Sequence, residues 1–238
     1  MDIPQHWNDK AYEQFRHYLN ELSEEDYKAF NSKLIPDTTL AYGIRIPKLR
    51  QIAKEILKGD YISYLALPKT SYHEEVIIEG LVMAGAKCDY AQMLNYMKIY
   101  SAKIYNWAIN DTVVFKGIKK YMPQFINDVD WFMFNENPWA KRFGYLHLMS
   151  LFLTDEYIDD VLKKVDAVNS DFYYVQMMQA WLLATAVAKV RDKTLDYLES
   201  CSLNETTFKM TVKKAKESFR VSDEDKNYLK VLYNEKFA

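Results

Sequence analysis

Five short segments of this chain resemble one another and recur at a nearly fixed interval, which limits the folds open to it more than any other feature. They are His73-Glu74-Glu75-Val76, Trp107-Ala108-Ile109-Asn110, Trp139-Ala140-Lys141-Arg142, Tyr173-Tyr174-Val175-Gln176 and Thr206-Thr207-Phe208-Lys209. Successive starts lie 34, 32, 34 and 33 residues apart. Each reads as the opening of a helix, with a second, shorter amphipathic helix between openings, as from Asp89 to Tyr100, Asp155 to Val165 and Lys193 to Cys201. A period of one helix pair marks a stack of repeats, because a lone pair cannot bury both its faces and must lie against its neighbours.

The rest of the chain agrees. Apolar residues fall three and four apart, as at Leu49, Ile52, Ala53, Ile56 and Leu57, and no alternating segment is bounded by a hairpin turn. Pro47 suits the first turn of a helix, Ser23-Glu24-Glu25-Asp26 reads as a capping box, and Asn204-Glu205-Thr206-Thr207 and Ser222-Asp223-Glu224-Asp225 open the last two helices. These signals predict an all-α protein of about a dozen helices. More specifically, they predict an α-solenoid of HEAT-like helical repeats, a right-handed stack with its long helices along one concave surface.

With 238 residues, 49% of them hydrophobic, the chain can bury a substantial core. No Gly/Ser-rich or Pro-rich stretch marks a linker, so residues 1–238 are expected to form a single domain. The N-terminus lacks the order of a signal peptide and no apolar run is long enough to span a bilayer, so a cytoplasmic protein without membrane contact is expected. Cys88 and Cys201 read as isolated core residues, and His6, His17, His73 and His147 show no zinc-binding spacing. Neither a metal nor any other cofactor is expected. Nothing in the sequence asks for a partner subunit, and a monomer is the expectation.

The predicted concave surface carries chemistry. Trp107, Trp139 and Trp181 fall on the long helices, where the plain reading is that large side chains fill a solenoid core. Asp111 lies four residues after Trp107, on the same helical face and followed there by Val114 and Ile118; a carboxylate so placed sits half exposed in a groove or is buried at considerable cost. It also gains from the positive end of a helix beginning near Asn106. Arg142 lies three residues after Trp139, where a salt bridge to Glu136 or Asp111 is the structural alternative to ligand contact. The net charge of −2 argues against a general nucleic-acid binder, yet residues 43–58, 103–120 and 209–220 carry +4, +3 and +4. Arg45 and Lys48 belong to the first window, and Lys213, Lys214, Lys216 and Arg220 to the third. A basic strip along an otherwise acidic body suits phosphate contacts; a set of solvated helix faces is the plainer reading.

These residues taken together resemble the AlkD-type DNA alkylation repair family. The resemblance runs through Tyr42-Gly43-Ile44-Arg45-Ile46-Pro47-Lys48-Leu49-Arg50, Asn106-Trp107-Ala108-Ile109-Asn110-Asp111, Trp139-Ala140-Lys141-Arg142-Phe143, Tyr173 to Trp181, and Lys213 to Val221. It covers nearly the whole chain in order. It implies a HEAT-like-repeat DNA glycosylase that removes positively charged N3- and N7-alkylated purines from duplex DNA. By this resemblance Trp107 and Asp111 match the family's Trp-x-x-x-Asp motif, Arg142 its DNA-contacting arginine and Trp181 its second active-site tryptophan. Two departures stand out: Ala184 occupies a position where relatives often carry arginine, and Leu34-Ile35-Pro36-Asp37 stands where an upstream tyrosine is expected. The alternative from another class is a non-catalytic solenoid that binds DNA structures or a protein partner through the same surface.

Overall fold

The computed structural model describes residues 3–35 and 40–237; Pro36 and Asp37 of the second departure lie outside the described residues. Helix accounts for 71% of the chain and no strand occurs among the described residues, as expected of an all-α protein. The chain divides into two compact units, residues 1–120 and 121–238. The first holds α1 (Asp9–Glu21), α2 (Glu25–Leu34), α3 (Ile46–Ile56), α4 (Tyr61–Ala66), α5 (His73–Gly85), α6 (Tyr90–Ser101), α7 (Trp107–Thr112) and a 3₁₀ turn at Lys116–Lys120. The second holds α8 (Met122–Asp128), α9 (Asp130–Met133), α10 (Pro138–Leu151), α11 (Ile158–Asp166), α12 (Tyr173–Lys189), α13 (Arg191–Ser200), α14 (Glu205–Glu217) and α15 (Asp223–Phe237).

The five recurring segments open α5, α7, α10, α12 and α14, each within one residue of the expected start. Side-chain caps explain the sharpness of several starts. Asn106 accepts from Ile109 N at 2.9 Å, Asn204 from Thr207 N at 2.9 Å, and Ser222 Oγ from Asp225 N at 3.0 Å. Ser23 behaves otherwise. Its hydroxyl donates to the Tyr42 carbonyl, and Glu24 becomes the residue before α2 with no side-chain cap. The expected capping box is therefore absent, because a carbonyl delivered from the turn before α3 competes for the hydroxyl.

In the second unit α12 packs between α10 and α14, while α11 packs against α13. Polar contacts bind these helices one period apart. Gln179 Nε2 donates to Tyr145 Oη at 2.9 Å, and both are buried. Helices α9, α11, α13 and α15 are joined in turn by ion pairs between residues 34 apart: Lys164 with Asp130, Lys193 with Asp159 and Arg191 with Asp225, each at 2.6 Å.

In the first unit α5 packs on α3, α4, α6 and α7 and is buried nearly all round. Its three carboxylates are buried too, at 1%, 0% and 2% exposure for Glu74, Glu75 and Glu79. Each meets donors from distant segments, as a buried charge requires. Glu74 accepts from the amides of Tyr42 (2.9 Å), Gly43 (2.7 Å) and Ile44 (3.1 Å). Glu75 accepts from the hydroxyls of Tyr12 and Tyr42, and Glu79 pairs with Lys103 at 2.7 Å. Gly43 has φ +87°, and a Cβ there would come within 2.7 Å of Lys28 Cβ, so the turn held by Glu74 requires glycine.

Candidate functional site

The Trp107 helix is shorter than the sequence suggests. The spacing predicts a long helix through Val114 and Ile118, whereas α7 ends at Thr112 and Val113 is extended (φ −113°, ψ 115°). Three consecutive β-branched residues, Thr112, Val113 and Val114, disfavour continuation, and the Thr112 hydroxyl donates back to the Ala108 carbonyl at 2.6 Å. Val114 and Ile118 are thus no part of the Asp111 face. Trp107 and Asp111 remain one helical turn apart on α7, both half-buried.

Contacts from three other segments hold this short helix. The buried Tyr100 hydroxyl donates to the Ile109 carbonyl at 2.9 Å, and Tyr100 in turn fits only because Gly80 has no side chain. The Trp107 indole N–H points at the Leu34 carbonyl, 3.4 Å away at the end of α2. Asn106 Nδ2 lies 3.4 Å from His73 Nδ1, a contact suited to a neutral imidazole accepting at Nδ1; burial lowers the His73 pKa, against the opposing pull of Glu74. The carboxylate of Asp111 accepts from the neighbouring Asn110 amide at 2.8 Å. A cavity of about 310 Å³ opens between α2 and the start of α5, lined by Lys28, Gly43, His73 and Glu74 among others.

Arg45, at the start of α3, is exposed but engaged: its guanidinium pairs with Glu24 at 2.9 Å and lies 4.6 Å from the centre of the Tyr27 ring. Tyr27 is an aromatic neighbour that sequence reasoning missed, since only the fold sets α2 against the start of α3. Lys48 is half-buried on α3. In the 103–120 window, Lys103 is neutralised by Glu79 while Lys116, Lys119 and Lys120 are exposed.

In the second unit Arg142 is buried, at 3% exposure, and donates to the Tyr174 carbonyl at 2.6 Å. Trp139 packs beside it against Phe172 and Tyr174, with centroids 5.4 and 5.0 Å apart. Trp181 is different, for it is 41% exposed. It lines an open depression of about 350 Å³ with Ala184, Thr185, Lys214, Glu217 and Ser218. Lys214 pairs there with Glu217 at 3.0 Å. Lys213 is exposed on the outer side of α14, and Arg220 is exposed past its end. Lys216 faces a separate depression against α15. The lysines of this window therefore divide between two surfaces.

A model of the DNA alkylation repair enzyme family matches residues 15–219. The chain belongs to that family. No curated protein and no solved structure matches it significantly. Membership implies a role in alkylation repair with DNA as partner, and the match takes in Trp107, Asp111, Arg142, Trp181 and the lysines of α14. Among the described residues no His, Cys, Asp and Glu group is placed to hold a metal, and no helix is long and apolar enough to cross a membrane.

Proposed function

We propose that the chain is a DNA glycosylase that excises positively charged N3- or N7-alkylated purines from duplex DNA. The observation that carries this reading is a half-buried carboxylate one turn from a half-buried tryptophan on a helix fixed by Asn106, Tyr100 and Leu34. An alkylated purine arrives already cationic, so its glycosidic bond breaks without a proton donor and without a cofactor. What must be supplied is stabilisation of the oxocarbenium-like sugar and an oriented water. Asp111 offers both through its negative charge and its accepting oxygens. Trp107 and Trp181 offer ring faces that attract a cation, by roughly 0.5 to 2 kcal/mol each. Arg45, Lys48, Lys213, Lys214, Lys216 and Arg220 supply positive charge for the phosphates, and Arg142, buried and bonded to the Tyr174 carbonyl, adds its charge from beneath the surface.

The polar contacts one period apart within each unit support an α-solenoid of HEAT-like repeats as the scaffold, with residues 1–238 as one domain. We take the enzyme to be monomeric and cytoplasmic. A second reading, a non-catalytic DNA-binding scaffold, draws support from Ala184, buried beside Trp181 where relatives often carry arginine. One experiment separates the two: purified protein is incubated with duplex DNA containing N7-methylguanine and free base is measured, with Asp111→Asn alongside. Glycosylase action predicts release by the wild type and a loss of roughly 10²-fold or more in the variant at nearly unchanged DNA affinity. No release by the wild type leaves the scaffold reading.

A further inference from the structure

The lysines of α14 divide between two surfaces, and the one turned away from Trp181 is broader than Lys213 and Lys216 alone. Lys209, Lys213 and Lys216 stand at i, i+4 and i+7, one exposed stripe on α14. At 1.5 Å rise per residue the stripe spans about 10 Å. Beside it, α14 and α15 enclose a depression of about 610 Å³ lined by Val212, Lys216, Asp223, Lys226, Asn227 and Lys230. Three lysines there meet one carboxylate, Asp223, which pairs with Lys226 at 3.1 Å.

This surface gathers several lysines that pair with no carboxylate, as Lys163 and Lys189 do singly elsewhere in the unit, among the described residues. Lys164, Lys193, Arg191 and Lys214 all have carboxylate partners. Among the described residues Lys209, Lys213, Lys216 and Lys230 have no carboxylate within 4.0 Å. Glu205 and Glu217 bracket the stripe on the same helix, four residues from Lys209 and Lys213, but the like charges between them repel and leave a surface that favours negative charge from outside the chain. A single small anion reaches only part of a 10 Å row, whereas a nucleic-acid strand presents a charge about every 3.4 Å along its axis, about three over that length.

We propose that the α14–α15 face is a second phosphate-binding surface, distinct from the Trp181 and Lys214 depression, and that Lys209, Lys226 and Lys230 join Lys213 and Lys216 there in gripping the backbone of duplex DNA. This rests on the reading of the chain as a duplex-binding repair protein. It adds residues on a different side of α14 from those that face Trp181. Lys209 and Lys230 are exposed and hold nothing else in place, so changing them leaves the fold intact.

The test is the affinity of the full chain for an unmodified 30-base-pair duplex over a range of salt concentrations, for wild type, Lys209→Ala/Lys230→Ala and Lys209→Arg/Lys230→Arg. Loss of two phosphate contacts lowers the slope of log affinity against log salt by about 2 and weakens binding about tenfold or more near 0.1 M salt. The arginine pair keeps the wild-type slope. A double-alanine variant with wild-type slope and affinity overturns the proposal, as does a wild type that does not retain the duplex. Release of N7-methylguanine is followed in the same samples at low salt with enzyme in excess. Excision with an unaltered slope refutes this surface and leaves the glycosylase reading standing; a flattened slope without excision by any sample does the reverse.

Discussion

Replacing Glu74 by glutamine changes one side-chain atom and should reveal what holds the turn before α3. The Glu74 carboxylate, 1% exposed, accepts from three backbone amides: Gly43 and Ile44 at one oxygen, Tyr42 at the other. Glutamine keeps one accepting oxygen. If that oxygen serves Gly43 and Ile44, the new NH₂ faces the Tyr42 N–H, donor against donor. Two charge-assisted bonds become neutral ones, losing about 1 kcal/mol each, and a buried unsatisfied donor costs about 1–3 kcal/mol more. Some of that is offset because a neutral amide loses less hydration on burial than a carboxylate does. The net expectation is a loss of about 2–4 kcal/mol, read as a lowered urea midpoint with an unchanged slope. The loosened turn leads directly into Arg45 and Lys48, so duplex affinity should fall as well. A loss below about 1 kcal/mol would show that the charge of Glu74 does not organise residues 42–44 and would refute this reasoning.

Three further outcomes follow from the same geometry. Gly80→Ala places a Cβ 2.2 Å from the buried Tyr100 ring, which must shift and release the Ile109 carbonyl; a loss of about 1–3 kcal/mol is expected, and a thermal midpoint equal to wild type would contradict it. His147 is fully buried and donates from Nδ1 to the Phe143 carbonyl, and burial pushes its pKa down from 6.5 to about 4. The folded imidazole thus refuses a proton that the unfolded chain takes up, so its contribution falls as pH drops below 6.5 and levels out beneath about 4, by up to about 3 kcal/mol. Stability of His147→Gln, measured by denaturation over that window, should fall less with pH than that of the wild type; an equal fall would assign the loss to another group. Trp181→Ala removes a ring that is 41% exposed and should cost about 1–3 kcal/mol of stability while lowering excision; unaltered excision would remove Trp181 from the site.

Local signals in the sequence determine structure where the partner lies within a turn. The caps at Asn106, Asn204 and Ser222 bind amides three residues ahead, and their hydrogen bonds form wherever the helix forms. The recurring helix starts and the all-helical class were legible for the same reason, since apolar spacing is a property of the helix itself. Ser23 marks the limit, for a capping residue was diverted by a carbonyl 19 residues away. The sequence places Glu74 and Glu75 at a helix opening without showing that they and Glu79 are buried. A hint was present in the apolar residues between and after them, which leave no face for solvent, but the amides and hydroxyls that satisfy them come from residues 12 to 44 and from Lys103. At the site, the family resemblance pointed to Trp107, Asp111 and Trp181; the fold decided that α7 stops at Thr112, that Arg142 is buried while Trp181 is exposed, and that Lys214 and Lys216 face opposite ways. A sequence fixes which side chains share a helical face, because that depends only on the pitch of the helix. What covers that face is settled by other segments of the chain, and exposure, pairing and charge at the surface are settled with it.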